Sequence, residues 1–219
     1  MDISALGIPN IRVVNLGSRR DPLEMVEATI ALKAWDGYLV KRWENGKAIS
    51  DGTVKLHFAC NTHSTPDEWQ AEIDAYNYLV QNQYEIRDGI IRSLIDKFDW
   101  LREYYDLDPA DNTGLPDITP DNQNDIDLRP FIGPETVSIL EQTRDGMAYL
   151  EWHLNCTWDV EHGVAVVTHK ERVIDLDRGE TDIWKIFEDN GTLEEEQRAY
   201  EERSNNARLR VMKPWWKFW

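Results

Sequence analysis

The stretch Cys156-Thr157-Trp158-Asp159-Val160-Glu161-His162-Gly163 decides the reading of this chain, because it lies between two apolar runs, Met147–Trp158 and Val164–His169. A short polar connection ending in glycine between two such runs predicts a β-hairpin. Gly163 suits the positive φ that a three- to five-residue hairpin loop needs at its end. Around it the same grammar repeats. Asp145-Gly146 is a turn dipeptide between Thr136–Glu141 and Met147–Trp158, and Arg172–Leu176 follows Val164–His169. Residues 131–178 therefore predict a β-meander of about four strands.

The first 63 residues predict another. Ile11–Leu16 is apolar and β-branched, Glu24–Leu32 follows Asp21-Pro22, and Asp36-Gly37 interrupts Trp35–Trp43. Asn45-Gly46 is a strong short-range hairpin signal. In Thr53–Cys60, Val54, Leu56 and Phe58 share one face.

Between the meanders, over residues 64–105, the period changes. Ser64 or Thr65 can cap a helix, Pro66 suits its first turn, and Glu68 adds early negative charge. Trp69, Ile73, Tyr76 and Val80, then Ile91, Leu94, Phe98, Leu101 and Tyr105, step by three or four. These stripes predict two helices near Asp67–Gln81 and Gln83–Tyr105, or one long helix bent between them. Beyond the second meander, residues 179–219 predict a short helix at Thr181–Asp189 with Ile183, Trp184 and Phe187 on one side. A second helix follows at Leu193–Arg203, with Thr192 and Glu195 in the capping-box spacing. The tail is basic and aromatic, with Arg208, Arg210, Lys213 and Lys217 among four large rings. Such a tail folds back onto the body or touches a partner or lipid. The expectation is one α+β domain over residues 1–219: an antiparallel sheet from two meanders with a central helical pair packed on one face.

Composition bounds the function. Hydrophobic residues are 41% of 219, enough for a core, and charged residues are 30%. The mean hydropathy is −0.60. The net charge is −17, with 41 Asp and Glu against 24 Lys and Arg. Such a surface repels nucleic acid and anionic membrane and attracts basic partners, although acidity also serves solubility alone. No basic segment followed by an apolar one opens the sequence, and no run of about 18 apolar residues occurs. The expectation is a cytoplasmic protein without a membrane span. Two cysteines are too few for a disulfide framework, and ten Trp must supply core or interface area.

Candidate chemistry is sparse. His57, Cys60 and His63 have ligand-like spacing, but zinc needs a fourth ligand, and positions 57 and 60 of one strand face opposite ways. The Asp106–Leu128 stretch holds seven Asp and no Lys or Arg. Asp106 and Asp108 open a calcium-like spacing that fails at Ala110, with no Gly at the sixth position. Residues 106–130 therefore read as a solvated acidic loop. Cys156 with Asp159, Glu161 and His162 could be drawn as a thiol nucleophile and its base. A thiol in an apolar strand beside an exposed turn is poorly placed for that, and Asp159 and Glu161 suit bonds to turn N–H groups. No Gly-rich phosphate loop occurs. No cofactor or metal is expected.

The segment from Leu150 through Cys156, Trp158, Asp159, Glu161, His162 and Gly163 to Leu176 resembles a family of largely uncharacterised bacterial domains. That family carries a C-x-W-D-x-E-H-G turn, a hydrophobic strand, a His, and a short strand. The resemblance covers about 30 residues. Asp177-Arg178-Gly179-Glu180 stands where the family has a glycine-rich turn. It carries over Cys156, Trp158, Asp159, Glu161, His162 and Gly163 as a structural signature, and no catalytic residue. It implies an accessory or immunity-type protein of bacterial toxin–antitoxin and competition systems. The resulting expectation is a non-enzymatic protein that binds and neutralises a basic toxin, since nuclease toxins are basic in order to grip phosphates. Its contacts are expected at Asp106, Asp108, Asp111, Asp117, Asp121, Asp125, Asp127, Glu194 and Glu195. Two alternatives stand beside it: a hydrolase using Cys156 or His162, and a structural or assembly component of a phage or secretion system.

Overall fold

The computed structural model describes residues 6–15, 24–42, 46–59, 69–104, 116–119, 121–123 and 125–211. The chain divides into two compact units, Met1–Thr181 and Asp182–Trp219. The first is built on one seven-stranded sheet: β1 (Arg12–Asn15), β2 (Glu24–Arg42), β3 (Gly46–Phe58), β4 (Ile132–Arg144), β5 (Met147–Cys156), β6 (Val164–His169) and β7 (Arg172–Arg178), in that spatial order. Helices α1 (Gln70–Gln81) and α2 (Gln83–Tyr104) lie between β3 and β4 in sequence. The second unit holds α3 (Ile183–Asn190) and α4 (Leu193–Val211). The class is α+β.

All neighbouring strands are antiparallel except β3 and β4, which pair in parallel from Lys55↔Thr136 to Phe58↔Ile139. A wholly antiparallel sheet is thus corrected at one seam. The reason is the connection: a chain that leaves β3, runs through two helices and returns is the crossover that parallel neighbours require.

Asp36-Gly37 does not end a strand. Gly37 takes φ +83°, and β2 runs on through two register shifts, at Ala31/Asp36 and Asp36/Leu39. Helix α2 meets the backbone that these shifts set free. Ala34 N–H donates to Gln83 Oε1 (2.9 Å), and Ala34 O accepts from Arg87 Nη1 (3.0 Å). This satisfies groups that a regular ladder would have paired.

The helices split at Asn82, whose N–H and Nδ2 both donate to Tyr78 O, at 2.8 and 3.0 Å. The buried face of α1 is rotated by about one residue from the expected stripe, whereas α2 buries Leu94, Phe98 and Leu101 of its expected stripe. On α1 the buried residues are Glu72, Ala75 and Leu79, with Trp69 just before, whereas Val80 is 37% exposed. On α2 they are Ile86, Ile90, Leu94, Phe98 and Leu101, with Ile91 half-buried. A pattern that counts only large apolar residues overlooks Ala75 and Glu72. The expected caps at Ser64, Thr65 and Pro66, and Tyr105, lie outside the described residues.

Helix α1 lies against β4 and β5, and α2 against β2 and β7. The core joins Val26, Leu56, Phe58, Val137, Ile139, Leu150, Trp152 and Leu154 of the sheet to Leu79, Ile90 and Leu94 of the helices. Trp35, Trp69 and Trp152 are at most 1% exposed and Trp158 is 8% exposed, so among the described residues these four Trp belong to the core. In the second unit, Asp182 caps α3 by accepting from Trp184 N–H (3.0 Å), and Gly191 ends it in the left-handed conformation. On α3 Ile186 is the buried residue, and Ile183 is 38% exposed. The α4 helix extends past Arg203 to Val211. Among the described residues, no helix is long and apolar enough to cross a membrane.

Candidate functional site

Strand β5 ends at Cys156, so the signature turn spans Thr157–Gly163, longer than the three to five residues expected. Tertiary contacts shape it together with local turn bonds. Thr157 N–H donates to Phe131 O (2.9 Å), and the Trp158 ring meets Phe98 of α2 edge-on, 5.6 Å between centroids. Cys156 is buried, and its thiol donates to Asp159 O at 3.4 Å. Nucleophilic use of a thiol needs an accessible thiolate beside a base, and this contact supplies neither.

Asp159 is the centre of the turn. Its Oδ1 accepts from His162 N–H (3.1 Å) and Glu161 N–H (3.3 Å), and its Oδ2 accepts from Arg178 Nε on β7. Gly163 N–H donates to Asp159 O (3.0 Å), and Gly179 N–H to Gly163 O (3.3 Å). Burial by itself would push the Asp159 carboxyl up. The Arg178 guanidinium and the His162 N–H groups outweigh it together and hold the carboxyl below its ordinary value. His162 Nδ1 sits 3.1 Å from Asp159 Oδ1 and 3.0 Å from Arg178 Nη2. One nitrogen cannot donate to the carboxylate and accept from the guanidinium at once, so the ring's tautomer selects between them. Val160, Glu161 and His162 are exposed at the tip. Of the signature residues, Cys156, Trp158, Asp159 and Gly163 hold the turn, while Glu161 and His162 present side chains to solvent.

A second arrangement lies on the sheet face away from the core cluster. The register aligns Arg12, Glu27, His57, Ser138, Glu151, Val167 and Asp175 across the strands. Successive strand residues point to opposite faces, so this line is set against the buried Val26, Leu56, Val137 and Leu150. Within it, Glu151 Oε2 lies 3.4 Å from His153 Nε2, and Glu151 Oε1 accepts from Thr181 Oγ1 at 2.5 Å. The His153 hydrogen bond leads in holding the Glu151 carboxyl below its ordinary value, and the same bond raises the His153 imidazole. Burial lowers the His57 imidazole, Lys55 and His153 push the same way, and Glu27 opposes them. An imidazole–carboxylate pair of this kind can bind a cationic or hydroxyl group or pass a proton. Sequence reading weighed His57 only as a zinc ligand. The register that sets it in one line with Glu151 needs the β3–β4 seam, which no local pattern reveals. Cys60 and His63 lie outside the described residues, and among the described residues no group of three His, Cys, Asp or Glu could hold a metal ion.

Of the expected contact residues, Asp117, Asp121, Asp125 and Asp127 are exposed, as are Glu194 and Glu195 in the first turn of α4. Asp106, Asp108 and Asp111 lie outside the described residues. The described part of the acidic loop keeps Asp117, Asp121, Asp125 and Asp127 exposed while its apolar residues anchor it. Leu128 is 3% exposed, and Ile118 and Ile126 pack against the core. Asn122 ties the turn together, accepting from Thr119 N–H (2.8 Å) and donating to Asp117 O (2.7 Å). Asp127 grips Arg129 with both oxygens at 2.8 Å, and that hydrogen bond leads in keeping its carboxyl below the ordinary value. Isolated apolar residues spaced among Asp residues were enough to seat the segment.

A family model described as a domain of unknown function, DUF6985, matches residues 35–184. The match begins inside β2 and includes the helical pair, the acidic loop and the signature turn. No curated protein and no solved structure matches the chain.

Proposed function

We propose, from the premise that this chain belongs to the family of domains of unknown function DUF6985, that it is a cytoplasmic, immunity-type protein that binds and blocks a basic toxin. One observation carries the reading. Asp117, Asp121 and Asp125 stand exposed on a segment whose apolar residues Ile118, Ile126 and Leu128 seat it on the core. Seated carboxylates form a surface that exists before the partner arrives, so little ordering is needed on binding. A net charge of −17 draws a cationic partner toward that surface. Asp127 contributes less, because Arg129 already neutralises it. Glu194 and Glu195 offer a second acidic contact on α4.

The test uses basic proteins encoded beside this gene, co-expressed singly with the chain. Rescue of growth by the chain identifies the partner. Stopped-flow association with that partner is then compared for the parent and the Asp117→Asn, Asp121→Asn, Asp125→Asn triple variant. The on-rate should fall about tenfold at low salt, and its salt dependence should flatten. Equal on-rates and equal salt slopes would reject the acidic segment as the contact. Failure of every adjacent basic protein to be neutralised would reject the reading itself.

A further inference from the structure

Helix α1 turns a carboxyl group toward the apolar layer that it shares with the sheet. Glu72 is 7% exposed, and its Oε2 has no hydrogen-bond partner among the described residues. It lies on the same helix face as Trp69, Ala75 and Leu79, each at most 1% exposed. Trp69 Nε1 is also buried without a partner among the described residues, which offer this layer little polar compensation. An ionised carboxylate in such a place is poorly solvated, whereas a protonated carboxyl is a nearly neutral guest. Burial leads in pushing the Glu72 carboxyl up. Its own backbone N–H opposes that, and Glu141 of β4, the titratable neighbour among the described residues that acts on it, adds like-charge repulsion.

We propose that Glu72 is a proton-operated latch, seating the first turns of α1 on β4 and β5 when protonated and loosening them when ionised. The sign follows from linkage. A carboxyl raised on folding lets the folded chain hold its proton to higher pH than the unfolded chain does. Stability is therefore complete below the ordinary value of 4.5 and declines as pH rises from there through the raised value. Loss of the latch differs from global unfolding, because α1 opens first while β4–β7 stays closed.

Hydrogen exchange of the full chain between pH 4 and pH 8, corrected for the intrinsic pH dependence, tests the latch. The opening of Gln70–Gln81 should rise about tenfold for each unit by which the Glu72 carboxyl is raised. In the Glu72→Gln variant the α1 opening should be flat with pH, and in Glu141→Gln the rise should be smaller than in the parent. A carbon-13 carboxyl titration of the parent gives an independent answer even if Glu72→Gln fails to fold. Titration of Glu72 at the ordinary glutamate value, or α1 protection that does not change with pH in the parent, would overturn the proposal.

Discussion

Two turns flank strand β5, and they are held in opposite ways. At one end, Asp145 and Gly146 both take positive φ, 51° and 75°, between the paired Arg144 and Met147. That is the two-residue turn whose twist matches the flanking strands. A Cβ placed on Gly146 would meet nothing within 4 Å. At the other end, Gly163 takes φ +67°, and a Cβ there would fall 2.3 Å from Leu154 O. The turn before it is clamped by Arg178, which belongs to a different strand. The first turn is a property of its own two residues. The second also depends on the guanidinium that β7 delivers to Asp159.

The largest expected effect breaks the clamped end. Gly163→Ala adds backbone strain and a collision with a carbonyl that cannot move without disturbing β5, for a loss of about 3 kcal/mol or more. Urea denaturation measures it, and a loss below about 1 kcal/mol would show that the two turns are equivalent after all.

Asp159→Asn comes next. It keeps an oxygen for the His162 and Glu161 N–H groups but removes the charge that Arg178 meets. Arg178 is 39% exposed, so solvent screening limits the loss to about 1–2 kcal/mol at neutral pH. Because the Asp159 carboxyl is depressed in the folded chain, its contribution is present above the ordinary aspartate value and is lost as pH falls through its folded value. Stability curves of parent and variant against pH should therefore converge in acid. A constant gap down to pH 2 would mean that the carboxylate's charge is idle.

Gly146→Ala should lower stability by about 1 kcal/mol, the strain of a left-handed alanine with no collision added. A loss matching that of Gly163→Ala would reveal a packing demand at the open turn.

The smallest effect lies on the sheet's polar face, where Glu151 and His153 pair within a single strand. His153→Gln should change stability by about 0.5 kcal/mol or less, because the imidazole is 41% exposed. His153 is raised on folding, so its contribution is present below the ordinary imidazole value and fades as pH rises through the raised one. Thermal melts at pH 6 and pH 8 should show the difference between parent and variant shrinking at the higher pH. A difference that grows instead would contradict the pairing.

The elements themselves were legible to the extent that their causes are local. Asp145-Gly146 marks a hairpin because positive φ is a property of the residues in the turn, while Asn45 of the other expected hairpin dipeptide lies outside the described residues. Val54, Leu56 and Phe58 alternate because a strand has a period of two. The rotation of α1 was not legible, since a glutamate on the buried face contradicts the apolar rule used to find that face. Asp159 could be read as a turn acceptor from its own segment, but Arg178, the partner that depresses it, stands in β7. Nor could the polar line of Glu27, His57 and Glu151 be read, because its members come from three strands joined through the parallel seam.

The sequence by itself determined where most strands and helices occur, though not the continuity of β2 through Asp36-Gly37, and that the chain is strongly acidic, because those follow from residues within a few positions of one another and from simple charge. Tertiary structure alone decided that two meanders share one sheet, which side of α1 faces inward, that Asp159 meets the guanidinium of Arg178, and that Glu72 is buried. Those outcomes depend on which groups arrive from distant strands. That is fixed by the packing of the helical crossover on the sheet rather than by any local preference.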